Sequence, residues 1–339
     1  MEDIRPDQKA SIRALRKLRQ EGLLHEPAFI VASRMVRSTS DWFEWARRML
    51  LFFGSALILA GVIYFFAYNW SKMGHFLKFA LIEAGIVACI LGSHFRGISR
   101  PSGKILLLSS SVLVGVLLAV YGQTYQTGAD AFELFMGWAV LILGWVIISE
   151  FSPLWLIWLI LLNIGVTLYW KQVGNPAYSI RYEFLSLALA FLNGIALAFY
   201  EIGLQQGLKW LGKRWLRSIL LTGSLIALTL PTLALIVVPG EAKGITMFVA
   251  LAWGMTAAGG YLYYRYELRD MIPLAIIISN ACIILLTLLG KGLFHGIRGS
   301  EAGLFLLFSL IILAVVSMAV FLLRSIAAKM AGEVGKHGT

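Results

Sequence analysis

"LLFFGSALILAGVIYFFAYNW", Leu50 to Trp70, decides the fold class of this chain. It carries no Asp, Glu, Lys or Arg. About 20 apolar residues in a helix cross the ~30 Å hydrocarbon core of a bilayer. In lipid the backbone N–H and C=O groups have to be satisfied within the segment, so so long and continuous a run predicts a helix rather than a barrel strand. The pattern recurs along the chain. Ten spans are predicted, at 49–68, 77–95, 105–122, 132–149, 153–170, 183–201, 218–238, 245–264, 271–290 and 302–323. Composition agrees, because 59% of the 339 residues are hydrophobic and 14% are charged, against about 25% charged in a soluble domain. Tyr and Trp gather near the run ends ("YNW", "LYW", "YLYYRY"), as in interfacial aromatic belts. The expected fold is all-α: a polytopic transmembrane helical bundle of about ten spans.

Lys and Arg set the orientation. With the N-terminus inside, the inner segments hold 22 of the 29 basic residues and the outer segments hold Lys72, Lys78, Lys171, Arg181, Lys243, Lys291 and Arg298. This is a positive-inside bias, and it predicts that both termini are cytoplasmic. The net charge of +11 is thereby explained by topology, without a nucleic-acid partner. Three regions follow: a cytoplasmic amphipathic helical module at 1–48, the bundle at 49–323 and a short basic tail at 324–339. No cleavable leader is expected, since the first apolar run follows a charged segment. Cys89 and Cys282 lie within apolar runs, where they act as small hydrophobes.

In the first module, "DQKASIRALRKLRQEGLL" places Ile12, Leu15 and Leu18 at helical spacing, with Gly22 as the stop. "HEPAFIVASRMV" predicts a second helix with Pro27 in its first turn. The pair either lies against the membrane or bundle or recruits a protein partner. "GLKWLGKRWLR", Gly207 to Arg217, reads as an interfacial helix among anionic head groups at the cytoplasmic face. In the eighth span, Ala250, Gly254 and Ala258 form a small-residue stripe expected to pack closely, either inside the bundle or between subunits.

Chemistry concentrates at "YGQTYQTGAD", Tyr121 to Asp130, a polar turn between two apolar spans. Gln123, Tyr125, Gln126 and Asp130 belong to it, and Glu133 opens the next span. Glu83 lies about seven residues, or roughly 10 Å, inside the second span. A carboxylate in hydrocarbon costs on the order of 3 kcal/mol, so Glu83 is expected to face the bundle interior or a water-filled cavity. Together these residues suggest either an outward-facing acidic cavity for a small polar ligand, or a hydrogen-bonded network that pins the loop. Asn163, Asn193 and Asn280 sit at mid-depth, where they either line a pathway or bond across helices for about 1 kcal/mol. Pro231 interrupts the seventh span. No phosphate-binding loop, nucleophile elbow or zinc-protease motif occurs, and the five histidines are scattered without ligand spacing. No metal, cofactor or catalytic residue is expected.

The basic leader ending in "EGLL", the approach "DWFEWARRML" and "YGQTYQTGADAFELFMGWAV" together resemble a bacterial family of multi-span membrane proteins of unknown function. Its members look like a short cytoplasmic helical region followed by many spans, with a Gly-Gln-x-Tyr motif. Here that motif is Gly122, Gln123, Thr124 and Tyr125. The resemblance is best over 8–150 and implies a bacterial inner-membrane location, but it brings no activity. Three functions stay open. The first is transport or channel-like passage of a small polar solute or ion, and the second is a non-transporting scaffold or accessory role. The third is a periplasm-facing enzyme acting on lipid or envelope.

Overall fold

The computed structural model describes residues 75–173, 182–212, 214–238, 244–296 and 301–336, with 21–36, 70–74 and isolated positions between 15 and 68. The chain forms two compact units, residues 1–74 and 75–339. In the first, Gly22 takes φ +73°, and the Leu23 N–H donates to the Leu18 carbonyl at 2.9 Å. Glycine reaches this left-handed backbone without a Cβ clash and so ends the turn. α1 (Glu26–Val36) follows. Arg19 pairs with Glu26 at 2.9 Å and lies 5.1 Å from the centre of the Phe29 ring. That pair is exposed, so it contributes little stability.

The second unit consists of α2 (His75–Arg96), α3 (Pro101–Tyr125), α4 (Ala131–Ser149), α5 (Ser152–Gln172), α6 (Tyr182–Gln205), α7 (Arg214–Val237), α8 (Gly244–Leu262), α9 (Met271–Gly296) and α10 (Glu301–Lys336). A π-helical turn, Tyr263–Glu267, extends α8. The described residues contain no strand. All nine of these helices are long and apolar enough to cross a membrane, and they answer the second to tenth expected spans. The first expected span, 49–68, lies largely outside the described residues. Large apolar side chains such as Leu141, Phe191, Leu230 and Phe321 stay exposed. This is the surface of a bundle solvated by lipid, and such patches would be a liability in water.

Turn chemistry ends the helices where the apolar runs stop. Gly97 at φ +88° closes α2, and Pro101 starts α3, where its missing N–H costs nothing. Neighbours then pack closely because small residues face them. A Cβ on Gly103 would meet the Gly97 carbonyl oxygen at 2.3 Å, and one on Gly115 would meet the Trp138 ring at 2.4 Å. The Trp138 indole donates to the Ser111 carbonyl at 2.7 Å, and Trp158 donates to that of Ala139 at 3.0 Å. These bonds tie α3 to α4 and α4 to α5. Three apolar clusters run through the unit: Leu107, Val114, Ile142 and Leu154 across α3 to α5; Leu159, Tyr200, Leu211 and Leu220 across α5 to α7; and Leu221, Tyr264, Leu274 and Ile326 across α7 to α10.

Three details refine the expectation. Residues 207–217 do not form a continuous interfacial helix. Gly207 turns at φ +84°, a 3-10 turn covers Lys209–Leu211, and α7 already begins at Arg214. Leu211 is buried, and the Trp210 carbonyl accepts from Ser152 Oγ at 2.6 Å, so tertiary packing overrides the amphipathic pattern. In α8 the buried positions are Thr246, Val249 and Ala257. A Cβ on Gly254 would meet nothing within 4 Å, so of the two settings expected for the stripe, packing inside the bundle is not met at this glycine. Finally, α10 continues to Lys336, well past residue 323.

Candidate functional site

Hairpin connectivity and cross-helix bonds define two ends of the bundle. At one end lie the 126–130 turn, the end of α5 and the start of α6. There Gln172 Oε1 accepts from the Phe132 N–H at 3.2 Å, supplying the helix-start bond that Asp130 leaves unmade with its side chain. Gln126 at φ +45° and Gly128 at φ +65° make the turn. A shallow depression of about 520 Å³ is lined here by Tyr121, Gly122, Gln126, Thr127, Asp130 and Glu133. The turn thus brings Gln126, Asp130 and Glu133 together, all three exposed. Tyr125 instead stacks on Phe79 at 6.0 Å and lies 4.8 Å from Tyr121, holding the α3 terminus against α2. Gln123 is exposed outside the depression, and so is Glu83 on α2.

Deeper in the bundle, Asn193 Nδ2 donates to Asn163 Oδ1 at 2.7 Å, and each amide also donates to a carbonyl one turn back in its own helix, Leu189 and Leu159 respectively, at 2.8 Å. α7 meets this pair at Gly223, where a Cβ would come within 3.3 Å of Asn193 Oδ1. The pair bonds across helices and also forms part of a wall. A cleft of about 740 Å³ runs between α5, α6 and α7, lined by Asn163, Ser186, Asn193, Ala227, Pro231 and Glu183 among mostly apolar neighbours. Glu183 lies at the end shared with the 126–130 turn and accepts from Thr246 Oγ1 at 2.9 Å. Asn280 has a different setting. Its Oδ1 accepts from Trp253 Nε1 at 2.7 Å and Thr229 Oγ1 at 3.1 Å, joining α7, α8 and α9.

At the opposite end is a buried ionic cluster that the apolar pattern did not indicate. Arg217 Nε and Nη2 donate to the two oxygens of Glu201 at 2.7 and 3.2 Å, while Nη1 donates to Asp270 Oδ2 at 2.6 Å. The three side chains are only 7, 9 and 12% exposed, for Arg217, Glu201 and Asp270. Tyr264 donates to Glu201 Oε1 at 3.0 Å, and the Ile272 N–H donates to Asp270 Oδ1 at 3.1 Å. The guanidinium lies 5.5 Å from the Tyr200 ring centre and 5.8 Å from that of Tyr264. The planar five-donor fork of Arg suits such a bidentate, stacked setting. Every charge in it has a hydrogen-bonded partner, as burial requires. The available sequence signal was that Glu201, Arg217 and Asp270 each stand beside helix-forming apolar runs, where an unpaired charge is rarely buried.

Among the described residues, no group of three or more His, Cys, Asp or Glu is placed to hold a metal ion. No curated protein and no solved structure matches the chain. The cleft and the ionic cluster lie mostly beyond residue 155. The 126–130 turn with α2, α3 and α4 falls within residues 4–155, the part of the chain that matches the family DUF2157, described as a predicted membrane protein.

Proposed function

We propose that this multi-pass membrane protein carries a small solute, part apolar and part hydrogen-bonding, through the cleft between α5, α6 and α7. The observation behind this is the Asn163–Asn193 amide pair in the wall of a cleft of about 740 Å³. Ligand sites of this kind are largely apolar, with a few convergent polar groups that fix orientation. The cleft carries one carboxylate, Glu183, at its end and neutral amides deeper in. That lining suits a neutral hydrogen-bonding solute better than a bare ion, which would need charge or a ring of oxygens along its path. Asp130 and Glu133 stand at the same end, as does Lys171 in the last turn of α5.

In this reading the 126–130 end faces outward and the Arg217 end faces the cytoplasm, as the positive-inside bias supports, in a bacterial inner membrane. The test uses single cysteines at Ser186 and Ala227, both in the cleft wall, in a Cys89→Ser, Cys282→Ser background. A membrane-impermeant thiol reagent applied to intact cells is expected to label both. Labelling only by a lipid-soluble maleimide would show a cleft filled by lipid, and the transport proposal would fail.

A further inference from the structure

A second cavity lies beside the ionic cluster and shares Leu156, Leu159 and Leu220 as wall with the cleft proposed for solute. It holds about 240 Å³ and is lined by Trp155, Trp158, Phe199, Tyr200, Trp210 and Leu211, among other apolar side chains. Ile195 and Phe199, which line it, are themselves exposed on the flank of α6, so the cavity opens toward the membrane. Its walls offer almost nothing to a polar solute. An apolar chain of the surrounding lipid fits this lining.

The adjoining chain supplies the complementary charge. Gln206 to Arg217 contains Lys209, Lys213, Arg214 and Arg217 and no acidic residue. Arg217 is committed to Glu201 and Asp270; Lys209 belongs to the turn that contributes Trp210 and Leu211 to the cavity wall, and Arg214 opens α7 just after it. The Ser152 bond to the Trp210 carbonyl and the burial of Leu211 hold that turn against the aromatic walls. A hydrophobic slot with a basic rim, at the end of the bundle where interfacial Trp residues cluster, matches an anionic phospholipid. We infer that one anionic phospholipid of the leaflet at the Arg217 end binds here, an acyl chain among Trp155, Phe199 and Trp210 and its phosphate beside the Lys209–Leu211 turn and the start of α7.

Native mass spectrometry of the detergent-solubilised full chain, titrated with phosphatidylglycerol or with phosphatidylcholine of the same acyl chains, tests this. Each basic residue near a head group contributes about fivefold to anionic-lipid affinity. The wild type is therefore expected to retain phosphatidylglycerol roughly tenfold or more over phosphatidylcholine. Replacing Lys209, Lys213 and Arg214 with Gln should bring that ratio close to one while the melting temperature stays near that of the wild type. Ala196→Phe, which fills the cavity, should reduce adducts of both lipids. Equal retention of the two lipids by the wild type, or an unchanged ratio in the charge variant, would overturn the inference. So would a spectrum of lipid-free dimer, which would show the slot to be covered by a second copy.

Discussion

At the residue scale, the most consequential side chain is Arg217, whose fork satisfies two buried carboxylates at once. Removing one partner of a buried ion pair leaves an uncompensated charge and typically costs about 3–5 kcal/mol. Arg217→Leu is therefore expected to lower the melting temperature of the detergent-solubilised protein sharply. Arg217→Lys should recover only part of the loss, because an ammonium lacks the planar fork. Removing Glu201 together with Arg217 should cost less than removing Arg217 alone; a melt for Arg217→Leu equal to wild type would refute the assignment. Gly115 supplies a second case. Its Cβ would enter the Trp138 ring, and that ring is fixed by its bond to the Ser111 carbonyl. Overpacking of this kind costs roughly 1–3 kcal/mol, so Gly115→Ala should destabilise measurably, whereas Gly254→Ala, which meets open space, should not.

At the element scale, helix positions were readable from the sequence because lipid permits so few backbone solutions. Helix ends were less legible. The run 183–201 stops where Glu201 enters, yet α6 continues to Gln205, because Arg217 on the next helix neutralises that charge inside the bundle. No local pattern contains this information, since the partners are 16 and 53 residues from Arg217 in sequence. The same reason hid the Asn163–Asn193 pairing, although each residue was visible alone. Within α7, Pro231 lacks an N–H, so the carbonyl one turn earlier, at Ala227, is left without its helical donor, and both residues line the cleft. Pro231→Ala restores that bond. It is expected to stabilise α7 and to slow thiol labelling of a cysteine at Ser186; labelling at the wild-type rate would remove Pro231 from any part in opening the cleft.

At the scale of the whole molecule, the two ends differ in chemistry. Asp130, Glu133 and Glu183 lie at one beside Lys78 and Lys171, whereas the stretch from Gln206 to Arg217, which has no acidic residue, and the ionic cluster mark the other. Single cysteines at Asp130 and at Gln206 fix which is which. In intact cells an impermeant reagent should label position 130 and spare 206, and inside-out vesicles should reverse the result. The opposite pattern would invert the topology and place the solute approach in the cytoplasm. The candidate site was only partly legible at this scale. The sequence pointed to the loop and to Glu83, whereas a cleft forms only where α5, α6 and α7 converge, and convergence depends on packing that no single segment encodes.

α10 has a consequence of a different kind. Its 36 residues amount to about 54 Å of helix, set against a hydrocarbon layer of about 30 Å. Ile326 and Met330 hold its far end to the buried cluster of α7, α8 and α9, while most of its length faces outward. No upright placement submerges all of it, so it has to lean or emerge. The apolar stretch 302–323 covers that layer by itself, at about 33 Å, so the turns that follow, with Arg324 and Lys329, stand outside the hydrocarbon and carry Ile326 and Met330 to the cluster formed with α7, α8 and α9.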